Sequence, residues 1–235
     1  MTADRLGDRM KGYEARETGR RFLPGVPVVA RIDGRSFSKF TKGMERPYDS
    51  GFMSVMEETA RALVDETNAR IAYVQSDEIT LVFLADKPGS EIFFDGKIQK
   101  MTSVLAAAAT SAFTMKALDV WPERVARMRP HFDARAFHVP NRTEAANCVL
   151  WREFDATKNA VSMAARAFFS HKRLKGVSTD GMQELLWQEA NVNFNDYPAT
   201  FKRGSYFRRE AVERELSPEE RAAIPPRERP QGPVR

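Results

Sequence analysis

Residues 26–34 read VPVVARIDG, and residues 71–84 read IAYVQSDEITLVFL. The first stretch predicts a buried strand that ends at Asp33-Gly34, because a short apolar run closed by a turn signal is typical of such strands. The second stretch holds two strand-like runs around the polar triplet Ser76-Asp77-Glu78, so it predicts a tight hairpin. These three predicted strands decide the fold.

Helical periodicity separates and follows these strands. Residues 50–64 carry apolar side chains at helical spacing after a capping Asp49 or Ser50, and residues 97–118 carry a second such pattern. Residues 132–139 predict a further strand. The resulting order, β-α-β-β-α-β, is that of the split βαβ arrangement in ferredoxin-like sheets. We therefore expect an α+β fold whose third strand lies between the first two, antiparallel to both, with both helices on one face.

Beyond residue 150 the pattern changes from alternating helices and strands to helix and loop. We expect a catalytic domain over residues 1–145, a helical and loop-rich extension over residues 146–216 that packs on it, and a tail over residues 217–235. The extension contains a predicted helix over residues 159–170 and another that begins near Thr179. The tail is rich in proline and charge, which predicts a disordered or extended segment.

The composition is that of a folded protein with a basic balance of charge. Of the 235 residues, 42% are hydrophobic and 29% are charged, which excludes disorder as the dominant state. No apolar run approaches the roughly 20 residues of a membrane helix, and the charged start is unlike a signal peptide. We therefore expect a cytoplasmic protein with no membrane partner. The single Cys148 excludes an internal disulfide, and the net charge of +5 weakly supports a polyanionic partner.

The predicted strand order places two acidic side chains at one edge of the sheet. Asp33 ends the first strand and Asp77 lies in the hairpin, so they should be about 5 Å apart in the pairing direction. Two adjacent carboxylates destabilise a fold unless a cation lies between them. Asp33, Asp77 and the Gly34 carbonyl would form half of a Mg²⁺ site, and the substrate would supply the rest. Two such ions would support in-line phosphoryl transfer, and Glu78 should face away and support the site.

The residues after Asp33 have the composition of a phosphate-binding turn. Backbone N–H groups of residues 34–39 can hold phosphates where the chain turns from a strand into a helix. Arg35, Lys39 and Arg46 could neutralise triphosphate oxygens. Lys97 and Lys100 begin the second long helix at the opposite end of the hairpin strand, so they reach the site only if the preceding loop folds back.

Simpler interpretations exist for each of these features. An Asp-Gly pair after a strand is usually a turn, and Ser-Asp-Glu between strands is usually a solvated hairpin. His131, His138 and His171 lack ligand spacing and are interpreted as surface or packing residues. The basic segments at residues 166–175 and 201–209 could form an RNA-binding surface, but solvated helix faces have the same composition.

Short polar and aromatic motifs follow one another in a fixed order between residues 31 and 204. They are RIDGRSF at 31–37, RPYD at 46–49, YVQSDE at 73–78, FDAR at 132–135, LWR at 150–152 with Asp155 and Asn159, NFN at 193–195 and FKRG at 201–204. In this order they resemble the tRNA-histidine guanylyltransferase family, the 3′-5′ nucleotide polymerases. The resemblance covers roughly residues 5–210.

The resemblance implies a ferredoxin-like palm, similar to those of polymerases and cyclases, that adds nucleotides to the 5′ end of tRNA. In such chemistry a nucleoside triphosphate activates the RNA 5′ end, and the 3′-hydroxyl of the incoming nucleotide then attacks it. The resemblance also implies two Mg²⁺ ions, with ATP and GTP or other nucleoside triphosphates as substrates. Members of the family are commonly homotetramers.

The resemblance also assigns roles to individual residues. Asp33, the Gly34 carbonyl and Asp77 resemble the metal ligands, and Glu78 joins Asp33 and Asp77 as the predicted catalytic set. The predicted nucleotide contacts are Gly34, Arg35, Ser36, Phe37, Ser38, Arg46, Asp49, Ser76 and Lys100. The predicted RNA contacts, drawn from the motifs and the basic segments, are Arg135, Arg152, Asn159, Lys172, Arg173, Lys202 and Arg203.

Two departures from the family pattern bear on the substrate. The segment TKNA at residues 157–160 stands where eukaryotic members have His-x-Asn-Asn, and Arg46 stands in place of a lysine. Both resemble the bacterial and archaeal branch, which is associated with template-dependent repair of 5′-truncated tRNAs. We therefore expect templated 5′ addition rather than dedicated extension of tRNA-histidine.

Two other functions fit parts of the sequence. A nucleotide cyclase uses the same sheet and paired aspartates, but it does not require the basic last third of the chain. A non-catalytic RNA-binding module would keep the basic segments, but it would not need Asp33 and Asp77.

Overall fold

The computed structural model describes residues 5–85, 89–210 and 215–225. The strands are β1 (Val28–Gly34), β2 (Ile71–Gln75), β3 (Glu78–Phe83), β4 (Phe132–His138) and β5 (Ser205–Phe207). The helices are α1 (Arg5–Thr18), α2 (Phe37–Phe40), α3 (Ser50–Thr67), α4 (Ile98–Val120), α5 (Pro122–Met128), α6 (Arg142–Phe168), α7 (His171–Leu174), α8 (Thr179–Ala190), α9 (Ala199–Arg203) and α10 (Pro218–Ala223). Two short 3-10 segments lie at Phe93–Gly96 and Phe194–Asp196.

The five strands form one antiparallel sheet in the order β4-β1-β3-β2-β5. β3 lies between β1 and β2 and is antiparallel to both, as the sequence predicts. The hairpin between β2 and β3 is tight, because Gln75 pairs with Glu78 and only two residues connect the strands. β5 was not predicted; it adds to the free edge of β2 and brings the C-terminal extension to the sheet.

One face of the sheet is covered by α3 and α4, which confirms that both predicted helices share a face. Asp49 is the N-cap of α3, since its carboxylate accepts a hydrogen bond from the Phe52 N–H at 2.9 Å. Leu63 of α3 and Leu105 of α4 are fully buried against Ile32 of β1 and the neighbouring strands. Burying such side chains stabilises the fold by about 1.5–3 kcal/mol each.

α4 is an apolar helix that packs on the sheet. By length and hydropathy alone, it is the one helix in the described part of the chain that could cross a bilayer. Its residues Met101, Leu105 and Phe113 are instead fully buried in the core that α3, α4 and the sheet share. The apolar stripe is therefore accounted for by packing on the sheet.

The opposite face of the sheet is covered in part by α6. Ala145, Val149 and Ala156 of this helix pack against Val29 and Tyr73. The sequence predicts a helix only over residues 159–170, whereas α6 begins at Arg142, capped by the Asn141 side chain. α6 thus runs without a break across the domain boundary predicted at residue 145.

The extension packs on the second half of α6. Buried Val161 and Ala164 of α6 meet Leu186 of α8 and Phe201 of α9. Gly204 then allows the chain to approach β2 closely, because a Cβ at this position would lie 2.5 Å from the Val74 carbonyl oxygen. The next three residues pair with β2 as β5.

The tail prediction is wrong for part of its length. α10 is a helix whose N-terminus has a capping box, in which the Ser217 hydroxyl accepts from the Glu220 N–H and the Glu220 carboxylate accepts from the Ser217 N–H. This reciprocal pairing satisfies two backbone donors that would otherwise favour an extended chain in water. Residues 226–235, also predicted to be disordered or extended, lie outside the described residues.

Candidate active site

Asp33 and Asp77 lie side by side at one edge of the sheet. Asp33 is the next-to-last residue of β1 and is paired in register with Glu78, the first residue of β3. The Gly34 N–H donates a hydrogen bond to the Asp77 carbonyl oxygen at 3.0 Å. The topology therefore brings together two residues 44 positions apart, as the strand order predicts.

The electrostatics of this edge favour a cation. Burial raises the pKa of Asp77 above its ordinary value, and the charge of Asp33 raises it further. The backbone N–H of Asp77 and the Ser76 hydroxyl, which donates to its carboxylate at 3.1 Å, oppose this increase. A divalent ion would relieve the repulsion between the carboxylates.

The donor set fits a hard metal ion that also binds its substrate. Asp33, Asp77 and the Gly34 carbonyl offer only oxygen, which is what Mg²⁺ prefers. Within the described ranges, no three or more His, Cys, Asp or Glu side chains form a group that could hold a metal by themselves. Mg²⁺ commonly binds to one or two carboxylates and completes its shell with phosphate oxygens, so this smaller set is sufficient.

Glu78, predicted to support the site and to join the catalytic set, forms an ion pair with α6. Both of its carboxylate oxygens accept from Arg152 of α6, at 2.6 Å and 2.8 Å, and Arg31 lies 3.7 Å away. Burial raises the pKa of Glu78, although Arg152 and Arg31 oppose the increase. The side chains of Glu78 and Arg152 are each only 15% exposed, so this pair fastens α6 to the sheet beside Asp33 and Asp77.

Two turns beside the acidic edge are strained: the turn of residues 34–37 after β1, called the strained turn below, and the β2–β3 hairpin. Ser36 has a φ of 59° and Ser76 a φ of 53°, both in the left-handed region. Such a conformation costs a non-glycine residue roughly 1–2 kcal/mol, and it is concentrated at functional sites. Gly34 is required for the strained turn, because a Cβ there would lie 2.5 Å from the ring of Phe37. The Gly34 and Arg35 N–H groups donate within the protein, to the carbonyl oxygens of Asp77 and His131, so backbone contacts with an anion would have to come from residues 36–38.

A cavity of about 440 Å³ opens beside this edge. Its size is within the range of small-molecule sites. Ser76, next to Asp77, connects the cavity to the acidic edge, and Arg46 and Arg166 bring positive charge to its lining. The other lining residues are Ser38, Thr41, Lys42, Met44, Glu45, Pro47, Tyr48, Asp49, Phe52, Met53, Gln75, Met163, Thr200 and Phe201.

The walls of the cavity come from distant parts of the chain. Tyr48, in the loop before α3, stacks on Phe201 of α9 with ring centroids 4.8 Å apart. Asp49 holds the loop, since its carboxylate accepts from the Phe52 N–H and also from the Glu45 N–H at 3.3 Å. An aromatic wall, two arginines and an adjacent pair of carboxylates are the elements of a nucleoside triphosphate site.

A comparison with known families decides the assignment. The model of the tRNAHis guanylyltransferase family matches residues 7–140, more than half of the chain. The chain belongs to the tRNAHis guanylyltransferase family. The proteins of this family are nucleotidyltransferases, so the acidic edge and the cavity beside it lie in an enzyme of that class.

Individual relatives of this chain support its membership of the guanylyltransferase family. It is 37% identical to a bacterial tRNA(His) guanylyltransferase-like protein solved in complex with ATP, with a TM-score of 0.83 over 87% of this chain and 89% of the other. A bacterial protein of the same description solved with GTP is 32% identical, with a TM-score of 0.72 over 89% and 86%. The tRNA(His) guanylyltransferase of Schizosaccharomyces pombe is 29% identical over 222 residues, 88% of this chain and 81% of the other.

The predicted nucleotide contacts fall into two groups in this guanylyltransferase-family fold. Ser38, Arg46, Asp49 and Ser76 line the cavity. Gly34, Arg35, Ser36 and Phe37 form the strained turn instead. The Phe37 side chain is a core residue, 2% exposed and packed among four other aromatic rings, so only its backbone could contact a nucleotide.

The Arg35 side chain is oriented by His131. The Arg35 guanidinium lies 3.2 Å from Nε2 of His131, and Nδ1 of His131 lies 3.0 Å from the Arg129 carbonyl oxygen. A guanidinium only donates and a carbonyl only accepts, so both contacts are hydrogen bonds in the tautomer in which Nδ1 donates and Nε2 accepts. His131, interpreted from the sequence as a surface or packing residue, is exposed and contacts Arg35 at the end of β1.

The fold does not bring Lys97 or Lys100 to this edge. β3 starts at the edge and carries the chain to the other end of the sheet, where α4 begins. Thr110 of α4 is level with the edge, because its hydroxyl accepts from the N–H of Phe132, the partner of Gly34 in β4. Lys100 lies about 15 Å farther along the helix axis, with its ammonium 4.6 Å from the ring of Phe94. Contrary to the prediction, Lys100 therefore lies too far from the acidic edge of its own chain to contact a nucleotide there.

The predicted RNA contacts differ widely in exposure. Arg152 is enclosed between Glu78 and Asp155, with 3.1 Å to the latter, which leaves its side chain little exposed surface, so the RNA contact expected of it stays a prediction. Arg135 lies on the open face of β4, 3.2 Å from Asp133. Asn159 donates to Asp155 at 3.5 Å.

The remaining predicted RNA contacts belong to the extension. Arg173 of α7 is ion-paired with Glu189 of α8 at 2.6 Å, and the Lys202 ammonium donates to the Asn195 carbonyl. Lys172 and Arg203 are on the surfaces of α7 and α9, and the Arg203 carbonyl accepts from the Tyr73 hydroxyl at 2.8 Å. These residues do not all share one surface with Arg135.

Proposed function

We propose that the protein catalyses template-dependent 3′-5′ addition of nucleotides to the 5′ end of tRNA, with two Mg²⁺ ions at the Asp33–Asp77 edge. The observation that carries this proposal is the meeting of Asp33 and Asp77 beside a nucleotide-sized cavity, with Ser76 common to both. The relatives named for guanylyl transfer to tRNA(His), and those solved with ATP and GTP, support it.

We infer that the sheet is a ferredoxin-like palm. The strand order β4-β1-β3-β2 and the placement of α3 and α4 on one face support this assignment. In such a sheet, the open face and the edge of the central strands are available to substrates, and Asp33 lies on the central strand β1.

Asp33, Asp77 and the Gly34 carbonyl would hold the metal ions. The ions, when bound, would neutralise charge on the attacking and leaving oxygens of an in-line displacement. The Glu78–Arg152 pair keeps a third carboxylate out of this position and holds the hairpin turn in place. The side chains at the edge would thereby remain aligned while phosphates exchange.

The cavity would hold the nucleoside triphosphate, with ATP and GTP among its substrates. Lys42, Arg46 and Arg166 are cationic residues of its lining, and they would offset the negative charge of phosphates. Ser38 and Ser76 add hydroxyl donors, and the backbone N–H groups of residues 36–38 would donate to the same oxygens. Tyr48, stacked on Phe201, offers an aromatic surface for a base.

Templated addition is favoured over a dedicated reaction with tRNA-histidine. The segment at residues 157–160 lies in α6, on the C-terminal side of Arg152, which binds Glu78. It lacks the His-x-Asn-Asn element of the eukaryotic members that the sequence otherwise resembles. Selection of the nucleotide would then depend on base pairing with the opposite strand of the acceptor stem.

An extension assay tests the proposal. Purified protein is incubated with Mg²⁺, all four nucleoside triphosphates and a 5′-truncated tRNA, and also with a tRNA whose template nucleotide is exchanged. We expect 5′ extension whose added nucleotide follows the exchanged template. Formation of cyclic nucleotide, RNA binding without turnover, or addition of guanylate regardless of the template would each contradict the proposal.

Three further expectations from the sequence stay predictions. They are a cytoplasmic location, a homotetramer, and a division of the chain into a palm over residues 1–145, an extension over residues 146–216 and a tail. Sedimentation of the purified protein measures the assembly, and a predominant monomer would contradict the tetramer.

A further inference from the structure

Trp151 is a large aromatic side chain left open to solvent next to the acidic edge. It is 58% exposed, although it lies on α6, whose neighbouring residue Arg152 is enclosed against the sheet. A singly exposed tryptophan does not by itself require a partner, so the case for one depends on what surrounds the ring. The surroundings of the ring indicate the partner.

The direction in which Trp151 points follows from its neighbours on the helix. Arg152 faces the sheet, and Glu153 accepts a hydrogen bond at 2.6 Å from Tyr206 of β5. Successive helical residues are 100° apart, so Trp151 and Glu153 lie on opposite flanks of α6. Trp151 therefore faces away from β5, towards β1 and β4.

The sheet surface on that flank is open and carries charges of both signs. Arg31 and Arg135 are paired in register on β1 and β4, and the next row of the same face holds Asp33 and Asp133. Asp133 and Arg135 are exposed, which shows that α6 does not cover β4. Trp151 thus borders a surface that offers guanidinium groups for phosphates and leads directly to Asp33.

The Arg152 guanidinium restrains the orientation of the Trp151 ring in the free protein. The Arg152 guanidinium lies over the ring, 4.9 Å from its centroid, and is itself held by both oxygens of Glu78. An aromatic ring with little freedom loses little entropy when a base stacks on it. Bases stack on aromatic side chains in many single-strand binding sites, whatever their sequence.

We propose that Trp151 is the stacking platform for the unpaired base at the 5′ end of the RNA substrate, and that it positions that end above Asp33. The proposal rests on the proposed function, because that function supplies an RNA end at this edge. Arg135, whose side chain is 53% exposed beside Asp133, would exchange that carboxylate for the adjacent phosphate.

Fluorescence tests this platform directly. The chain has three tryptophans, so the double variant Trp121→Phe with Trp187→Phe leaves Trp151 as the sole indole. This variant is titrated with a 5′-phosphorylated tRNA that lacks its first nucleotide, in Mg²⁺ without nucleoside triphosphates. We expect saturable quenching of Trp151 emission. Binding of the RNA without a change in this emission would overturn the proposal.

Affinity variants in the otherwise native chain provide the second measurement. Removal of a stacking ring weakens binding by roughly fivefold to a hundredfold, so we expect that range for Trp151→Ala, with most of the loss recovered in Trp151→Phe. Trp187, 55% exposed on α8, is the matched control, and Trp187→Ala should bind RNA like the native protein. Equal affinities of Trp151→Ala and native protein would overturn the proposal.

Other outcomes separate this proposal from competing explanations. If Trp151→Ala changes the sedimentation of the protein but not its RNA affinity, the ring faces a second copy of the chain and the platform is wrong. If Trp151 is quenched by RNA but no nucleotide is added under any condition, the platform stands and the proposed function fails. If extension proceeds normally in Trp151→Ala, the function stands and the platform fails.

Discussion

The Asp33–Asp77 edge and the basic extension of α6 to α9 distribute their charges in opposite ways. At the edge, two carboxylates lie together, and among the residues that the structure describes no cation forms an ion pair with either. In the extension, Arg173 is paired with Glu189, and Lys202 donates to a carbonyl. Arg152, where α6 meets the sheet, is enclosed by two acids.

This difference shows which charges are available to a ligand. A cation that already has a partner contributes mainly to structure, and a like-charged pair without one raises the free energy of the fold until something binds. Sequence composition counts both kinds alike. The folded structure separates charges that have a partner from charges that do not. The acidic edge is therefore better supported as a ligand site than the basic extension.

The largest expected effect comes from removing one carboxylate of the edge. Asp77→Asn keeps the shape of the side chain but loses the charge that would hold a divalent ion, so we expect nucleotide addition to fall on the order of a thousandfold. RNA affinity should stay within twofold. The matched control is Asp119→Asn, which removes an exposed carboxylate near the end of α4. Substantial activity of Asp77→Asn at saturating Mg²⁺ contradicts the assignment.

The next effect tests whether Arg152 belongs to the structure rather than to the RNA surface. Arg152→Met leaves the Glu78 carboxylate buried without its partner, which should lower the free energy of unfolding by about 3–5 kcal/mol. Adding Glu78→Gln should recover much of this loss, because no charge then remains buried. Urea unfolding of both variants measures it. A variant that unfolds like the native protein but loses RNA affinity would confirm Arg152 as an RNA contact.

A smaller effect is expected in the extension. Lys202→Ala combined with Arg203→Ala removes two cations next to β5, so RNA binding should weaken several-fold and depend less steeply on salt. Catalysis at saturating RNA should be unchanged. Filter binding over a range of salt concentrations measures the slope. The native slope in the double variant would exclude these residues from the interface.

The smallest effect is the dependence of stability on pH. The raised folded-state pKa of Asp77 means that its charge destabilises the metal-free protein fully above that pKa. This penalty decreases as the pH falls through the raised pKa and is gone below the ordinary aspartate value of about 3.9. We therefore expect Asp77→Asn to be more stable than the native protein at neutral pH without Mg²⁺, with the difference shrinking as the pH falls. Thermal unfolding from pH 7 to pH 4 checks this.

Much of the sheet could be predicted from the sequence because its strands are local, continuous apolar runs. Residues 26–34 and 71–84 determine both the hairpin and the position of β3. β5 could not be predicted, since its three residues become a strand only where Gly204 allows contact with β2. The first half of α6 was also missed, because it buries the small side chains Ala145 and Ala156, which give little periodic signal.

The acidic edge was predictable for the same topological reason, but the cavity was not. Tyr48 and Phe201 meet only through packing of the extension, and no spacing in the sequence connects them. The position of Lys100 depended on the direction of β3, which places the start of α4 at the far end of the sheet. His131 gave no signal by itself, because its role depends on two hydrogen bonds made by the folded loop.

The most direct test of the central claim is anomalous diffraction from crystals of the protein grown with Mn²⁺ and ATP. We predict an anomalous peak ligated by the Asp33 and Asp77 carboxylates and the Gly34 carbonyl, with the ATP phosphates completing the shell and the nucleotide in the cavity beside Ser76. A bound ATP with manganese held elsewhere, and both carboxylates free of metal, would contradict the account.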